Sequence, residues 1–96
     1  MTTAVAPREY SLSQNYPNPF NPTTLITYVL KEAGEVKLEL FDVLGRKVAT
    51  LVNVRQDAGT YTHSFVASRY GLSTGMYFYR LQSGGFVATK KMLLVK

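Results

Sequence analysis

Glu35-Val36-Lys37-Leu38-Glu39-Leu40-Phe41 alternates charged and aliphatic side chains over its first six residues. Successive side chains of a β-strand point to opposite faces, so this pattern predicts a strand with one apolar face and one polar face. We expect the aliphatic residues to face a core and the charged residues to face outward. The same period of two recurs along the chain between turn residues, which predicts an all-β domain.

Working outward from this strand, turn residues divide the chain into about seven antiparallel strands. A polypeptide with that many short strands in about 90 residues is most naturally a two-sheet sandwich of the immunoglobulin-like kind. The chain has no cysteine and no tryptophan, so it is not an antibody-type domain. The strands are expected at residues 10–14, 24–30, 35–41, 46–52, 59–66, 76–82 and 86–95.

Two apolar residues near turns are assigned to the core. Val48 is expected to be the surest core residue of the strand that returns from the first hairpin. Leu72 is expected to dip into the core from the crossing segment, residues 67–74. Residues 53–58 are polar and are expected to form a loop.

The turn residues predict specific backbone geometry. In the hairpin connection after Phe41, Asp42 is expected to accept hydrogen bonds from backbone N–H groups ahead of it, and Gly45 to adopt positive φ. Gly59 and Gly75 open the next strands, where a glycine is better explained by the backbone than by a contact.

Tyr16-Pro17-Asn18-Pro19-Phe20-Asn21-Pro22 holds three of the four prolines of the chain. Proline has no N–H for a sheet ladder and favours extended geometry in the residue before it. We therefore expect a stiff, extended and unpaired corner, in which Asn18 and Asn21 close local turns. Tyr16 and Phe20 are expected to pin this corner to the core.

Composition excludes several classes of protein. The 96 residues suffice for one domain, with residues 1–9 as a linker and residues 10–96 as the folded part. The formal net charge of +5 comes from scattered basic residues, which is not typical of a nucleic-acid-binding face. No apolar run approaches the roughly 18 residues of a membrane span, and the first residues lack the features of a signal peptide.

The sequence shows no catalytic or metal-binding motif. A zinc site needs several histidines or cysteines, and the single His63 is expected to be a packed, hydrogen-bonded core residue. The acidic residues show no paired arrangement, the serines lie in no nucleophile elbow, and the glycines form no phosphate loop. We therefore expect no enzyme activity and no cofactor.

The seven tyrosines leave a binding function open. A solvent-facing row of Tyr28, Tyr61, Tyr77 and Tyr79 would suit a carbohydrate-binding module. The same residues also fit strand positions facing the core, with their hydroxyls at its rim. A structural immunoglobulin-like spacer, like the domain of flagellar hook-capping proteins, is a further alternative.

Five pieces of sequence, in this order, resemble the type A C-terminal sorting domain of the type IX secretion system of Gram-negative bacteria. They are residues 16–30, residues 36–48, residues 58–61, residues 72–81 and residues 90–94. The resemblance covers about residues 12–96, with one departure at Phe65-Val66, where many members carry tryptophan followed by aspartate. The signature residues of the family are found here as Pro17, Asn18, Pro19, Asn21, Pro22, Asp42, Gly45, Gly59, Gly75 and Tyr77.

This resemblance implies a non-catalytic module that addresses an N-terminal cargo protein in the periplasm to the type IX outer-membrane translocon. A surface sortase-like peptidase then typically removes the domain and attaches the cargo to the cell surface. Cleavage is expected within or beside residues 2–8. The family partners are proteins, without nucleic acid and without membrane insertion.

The last strand is the first candidate for a recognition surface. Its lysines, Lys90 and Lys91, lie near the terminal Lys96, and an exposed sheet edge is a ready docking surface. Lysines on an edge strand also protect it from unwanted pairing, and the sequence alone does not separate these two roles.

Overall fold

The computed structural model describes residues 9–96 and confirms an all-β domain. One 3-10 turn, Ala67–Tyr70, lies between β5 and β6. The strands are β1 (Ser11–Leu12), β2 (Thr23–Leu30), β3 (Gly34–Phe41), β4 (Lys47–Gln56), β5 (Gly59–Val66), β6 (Gly75–Ser83) and β7 (Phe86–Leu94). Within this described range no helix is long and apolar enough to span a membrane.

The strands form two antiparallel sheets, as expected of an immunoglobulin-like sandwich. One sheet has three strands in the order β1-β2-β5, and the other has four in the order β4-β3-β6-β7. The aliphatic residues of β3 face the core as predicted, and so do alternate residues of β2 and β6. Leu72, in the crossing segment, is buried in the core, also as predicted.

The prediction that Val48 lies in the core is wrong, since 37% of its surface is exposed. β3 pairs Leu40 with Ala49 and Phe41 with Lys47, so the ladder skips Val48. Such a β-bulge places an extra residue outside the alternation, and a period of two cannot reveal it. The core side of β4 is supplied by its half-buried neighbours Ala49, Leu51 and Val52.

Residues 53–58 are not a loop, because β4 continues to Gln56. Gln56 pairs with Gly34 at the start of β3, which leaves Asp57 and Ala58 as the connection to β5. β4 is the outermost strand of its sheet. A strand with solvent beside it tolerates polar residues, so their polarity is a poor indicator of a loop.

The proline segment is not unpaired. Tyr16 forms an antiparallel bridge with Leu25, and Phe20 forms a parallel bridge with Leu94 of the opposite sheet. The three peptide bonds before Pro17, Pro19 and Pro22 are cis. Phe20 is an anchor as predicted, with 2% of its surface exposed, but Tyr16 is 79% exposed and anchors nothing in the core.

The two outer faces of the sandwich differ in charge. On the four-stranded sheet, Glu39 is covered by Arg80 and Lys47, with N–O distances of 3.2 and 3.4 Å. Burial by itself would raise the pKa of Glu39, but the hydrogen bonds from these two cations outweigh it and hold the pKa below its ordinary value. Arg80 also lies 4.7 Å above the ring of Phe41. By contrast, the outward residues of β2 and β5 carry no charge: Thr23, Leu25, Thr27, Val29, Thr60, Thr62, Ser64 and Val66.

Candidate functional site

The pairing register brings several connections to one end of the four-stranded sheet. Phe41 at the end of β3 pairs with Phe78 near the start of β6. Leu94 at the end of β7 pairs with Gly75, the first residue of β6. The hairpin after β3, the crossing before β6 and the last residues of the chain therefore lie at the same end.

The three-stranded sheet contributes to this end as well. Thr23 at the start of β2 pairs with Val66 at the end of β5, and the bridge from Phe20 to Leu94 joins the two sheets. We call this the signature end, because all the signature residues except Gly59 lie in or beside its segments. These segments are residues 16–22, residues 42–46, residues 67–75 and residues 93–96.

The opposite end carries the start of the described chain, and we call it the linker end. Tyr10 stacks on Phe86, the first residue of β7, with ring centroids 5.2 Å apart. The short connections at residues 31–33, residues 57–58 and residues 84–85 lie at this end. Residues 2–8, where cleavage is expected, lie outside the described residues.

At the signature end, the proline segment is hydrogen-bonded to the end of β7. The Leu93 N–H donates to Oδ1 of Asn18 at 2.9 Å, and the Phe20 N–H donates to the Leu93 carbonyl at 3.0 Å. The Val95 N–H returns a bond to the Phe20 carbonyl at 3.0 Å. These three bonds cover the edge of β7 near its end, so this part of the last strand is not open for pairing.

A buried polar network holds the proline segment from within. The Asn15 amide donates to Thr24 Oγ1 at 3.0 Å and to the Pro17 carbonyl at 3.1 Å, and the Thr24 hydroxyl donates to the same carbonyl at 2.8 Å. Tyr79 accepts from the Asn15 N–H at 2.8 Å and donates to the Ser13 carbonyl at 2.7 Å. Burial raises the pKa of Tyr79 to about 12, which keeps its hydroxyl a donor.

Neither Asn15 nor Thr24 stands out as a functional residue in the sequence. Alternation could have indicated Thr24, because it lies on the same face of its strand as Ile26, Tyr28 and Leu30, which all face the core. A hydroxyl on a core-facing position needs a hydrogen-bond partner, and the proline segment offers free carbonyls.

The hairpin at residues 42–46 is held by Asp42 as predicted. Its Oδ1 accepts from the Leu44 and Arg46 N–H groups at 2.9 and 3.0 Å, and Arg46 Nε lies 2.8 Å from Oδ2. The bond from the Arg46 backbone is the largest of the effects that lower the pKa of Asp42. Gly45 has φ of 82°, as predicted. This ordered turn exposes two aliphatic side chains, Val43 at 65% and Leu44 at 73%.

A Gly-x-Tyr arrangement opens both β5 and β6. Gly59 and Gly75 have φ of 151° and 156°, which is unusual for other residues. Two residues later, Tyr61 donates to the Asp57 carbonyl at 2.6 Å and Tyr77 donates to the Ser73 carbonyl at 2.8 Å. Gly59 lies at the linker end and Gly75 at the signature end, so the arrangement is a strand-opening device used at both ends.

The three predicted recognition lysines are exposed but do not form one cluster. Lys90 pairs with the core-facing Tyr79 and Lys91 with Phe78, so their side chains leave opposite faces of β7. Lys96 lies at the signature end, where its N–H donates to Thr74 Oγ1 at 3.2 Å. Of the three, only Lys96 lies in one of the segments of the signature end.

The four tyrosines proposed for sugar stacking face the core rather than solvent. Tyr28, Tyr77 and Tyr79 are buried, and Tyr61 is half-buried with its ring 5.5 Å from that of Tyr28. His63 faces the same way and is half-buried, but its ring makes no hydrogen bond with residues 9–96, contrary to expectation. Within this range no group of three or more potential metal-ligating side chains lies together.

Comparison with known proteins agrees with the sequence resemblance. The model of the family described as secretion system C-terminal sorting domain matches residues 14–96. No curated protein matches the chain. The matched range contains β2 to β7 and every signature residue named above. The chain therefore belongs to the secretion system C-terminal sorting domain family, a non-catalytic family of type IX sorting signals that direct proteins of Bacteroidetes to secretion or the cell surface.

Proposed function

We propose that the domain presents its signature end to the type IX translocon while its linker end holds the cargo. The observation that carries this proposal is the convergence of the family signature with the last residues of the chain at the end opposite Tyr10. A sorting signal is read by a receptor, so it needs an exposed and rigid surface rather than a reactive group. The hairpin tip and the clamped end of β7 supply such a surface.

Within this end, the aliphatic tip of Val43 and Leu44 is the best candidate for direct contact. Exposed aliphatic side chains on an ordered turn can bury apolar area on a partner at little cost in conformational entropy. Lys96 adds a positive charge at the same end, and Lys90 and Lys91 lie farther along β7, one on each face. We include these three lysines in the proposed recognition surface.

The proposed path of the parent protein follows from this polarity. The folded residues 10–96 act as the address, and residues 1–9 as the linker to the cargo. The domain engages the translocon from the periplasm, and a sortase-like peptidase at the surface cuts the linker within or beside residues 2–8. A cut at this position leaves the signature end intact and free of cargo.

The alternative of a carbohydrate-binding module is not favoured. It required a solvent-facing row of tyrosines, and the four residues concerned face the core. The spacer alternative is not favoured either, because the matched family is one of sorting signals.

The lysine part of the proposal is tested with a reporter in a type IX host. Residues 1–96 are fused behind a periplasmic reporter, and Lys90, Lys91 and Lys96 are changed together to serine. The matched control changes Lys31, Lys37 and Arg55, so both variants lower the formal net charge by three. We expect surface delivery to fall only in the first variant. Equal delivery by both variants would remove the lysines from the recognition surface, and failure of the unchanged fusion would contradict the sorting role of this domain.

A further inference from the structure

The four outer strands of the two sheets differ in how well their edges are protected. The edge of β7 is partly covered by the proline segment, through Asn18 and Phe20. β1 is only two residues long. β4 carries Lys47 and Arg55 and is interrupted by two register shifts. Short strands, charges, bulges and covering segments are the usual ways to prevent a sheet edge from pairing.

β5 has none of these protections. Its pairing with β2 is regular over all eight residues, from Gly59 to Val66, and it contains no proline and no Lys, Arg, Asp or Glu. Beyond its ladder with β2, its backbone makes no hydrogen bond with any described residue. A regular, uncharged edge of this length presents a row of unpaired backbone groups that can accept another strand.

We infer that β5 pairs with β5 of a second copy of this chain, in an antiparallel arrangement around Thr62. Directly opposed residues of two antiparallel strands lie on the same face, so a two-fold axis must pass through a residue to keep the core sides together. With the axis at Thr62, Thr60 opposes Ser64 of the other copy, and Tyr61 opposes His63. The outward pairs are hydroxyl pairs, which are favourable cross-strand neighbours.

The self-matching hydroxyl pairs point to a second copy as the occupant, and the charge of this edge does not oppose it. The chain has a formal net charge of +5, yet the face continued across this edge is uncharged on both β2 and β5. Two copies joined at β5 therefore meet through neutral strands. The charged outer faces belong to the four-stranded sheets, which take no part in this pairing. The edges at β4 and β7, by contrast, carry lysine or arginine. One strand pair is a small interface, below the roughly 1,200 Å² of stable complexes, so the dimer should be weak.

Thr27 provides a matched control for Thr62. The two residues are direct cross-strand partners, both are exposed, and their hydroxyl oxygens are 3.1 Å apart. A lysine at either position breaks the same hydrogen bond and adds the same charge to the same face. In the dimer, two copies of T62K place their lysines on adjacent strands, whereas two copies of T27K lie about three strand spacings, or ~14 Å, apart. At that separation salt screens most of the repulsion.

The test is sedimentation analysis of residues 1–96 up to roughly 1 mM protein, with the wild-type chain, T62K and T27K. We expect the wild-type chain and T27K to dimerise over the same concentration range and T62K to remain monomeric. Amide hydrogen exchange of the wild-type chain should slow in β5 as concentration rises, but not in β4 or β7. A monomeric wild-type chain at the highest concentration, or equal dimerisation by both variants, would overturn the inference. Thermal unfolding of each variant checks that the fold is kept.

Discussion

The signature end and the linker end of the sandwich share one device but differ in what they connect. Both open a strand with Gly-x-Tyr, at Gly59 and at Gly75. At the linker end the connections are two or three residues long, and two of the three cross from one sheet to the other. At the signature end the connections are longer, and Asn18 of the proline segment accepts a hydrogen bond from the Leu93 N–H, which ties that connection to β7. Short connections therefore suffice to close this sandwich, even between its sheets, and the proposed recognition surface lies where the connections are longer.

The largest expected effect concerns the two aromatic residues of the proline segment. Phe20 is buried and packs edge-on against Phe65, with ring centroids 5.9 Å apart. Phe20→Ala therefore leaves a cavity in the core beside Phe65. We expect a loss of about 3–5 kcal/mol in the free energy of unfolding, measured by urea denaturation. Tyr16→Ala should change it by only about 0.5 kcal/mol, because Tyr16 is exposed. Similar losses for both would show that the segment is not held by Phe20 alone.

A smaller effect is expected when the bond between the proline segment and β7 is removed. Asn18→Ala deletes the acceptor of the Leu93 N–H and should cost about 1 kcal/mol in unfolding free energy. Hydrogen exchange at the Leu93 amide should quicken at the same time. Asn21→Ala is the control, because Asn21 is exposed and its side chain makes no hydrogen bond to the described residues. Unchanged exchange at Leu93 in Asn18→Ala would contradict the clamp.

The Gly-x-Tyr arrangement should contribute equally to stability at the two ends of the domain. Tyr61→Phe and Tyr77→Phe each remove one hydroxyl that donates to a carbonyl four residues earlier. We expect each to lower the unfolding free energy by about 1 kcal/mol, and neither to change secretion of a reporter whose fold is intact. A secretion defect in Tyr77→Phe alone, at equal stability, would make Tyr77 part of the recognition surface.

The smallest effect is a dependence of stability on pH from His63 in β5. Burial lowers the pKa of His63 below its ordinary value of 6.5, so the folded chain binds this proton less readily than the unfolded chain. Stability from this residue is therefore complete above pH 6.5 and falls as the pH drops through the folded pKa. His63→Gln should flatten the unfolding free energy between about pH 5 and 7, where carboxylates contribute little. If the unfolding free energy of His63→Gln depends on pH as steeply as that of the wild-type chain, another group causes the dependence.

Much of the fold was predictable because alternation reports directly on which residues face the core. β3, β5 and β6 were correct on that ground, as was the turn geometry of Asp42 and Gly45. The prediction for Val48 was wrong because a β-bulge changes which residues of β4 face the core. The bulge depends on the pairing of β4 with β3, so the sequence of β4 alone does not reveal it. Asn18 accepts from the backbone of Leu93, and the Asn15 N–H donates to the side chain of Tyr79, so both bonds reach far along the chain. The prediction that Asn18 and Asn21 close local turns was therefore wrong, because Asn18 accepts from the distant Leu93 N–H and the Asn21 side chain bonds to no described residue.

The proposed division of roles between the signature end and the linker end is tested most directly by changing the two turns that flank β3. Val43 and Leu44 form the exposed tip at the signature end, and Lys31 and Glu32 are exposed residues of the turn at the linker end. Each pair is changed to two serines in the reporter fusion, and surface delivery is measured for variants of equal thermal stability. We expect delivery to fall for the Val43→Ser and Leu44→Ser variant and to stay unchanged for the Lys31→Ser and Glu32→Ser variant. Equal delivery by the two variants, or a loss only at the linker end, would contradict this division of roles.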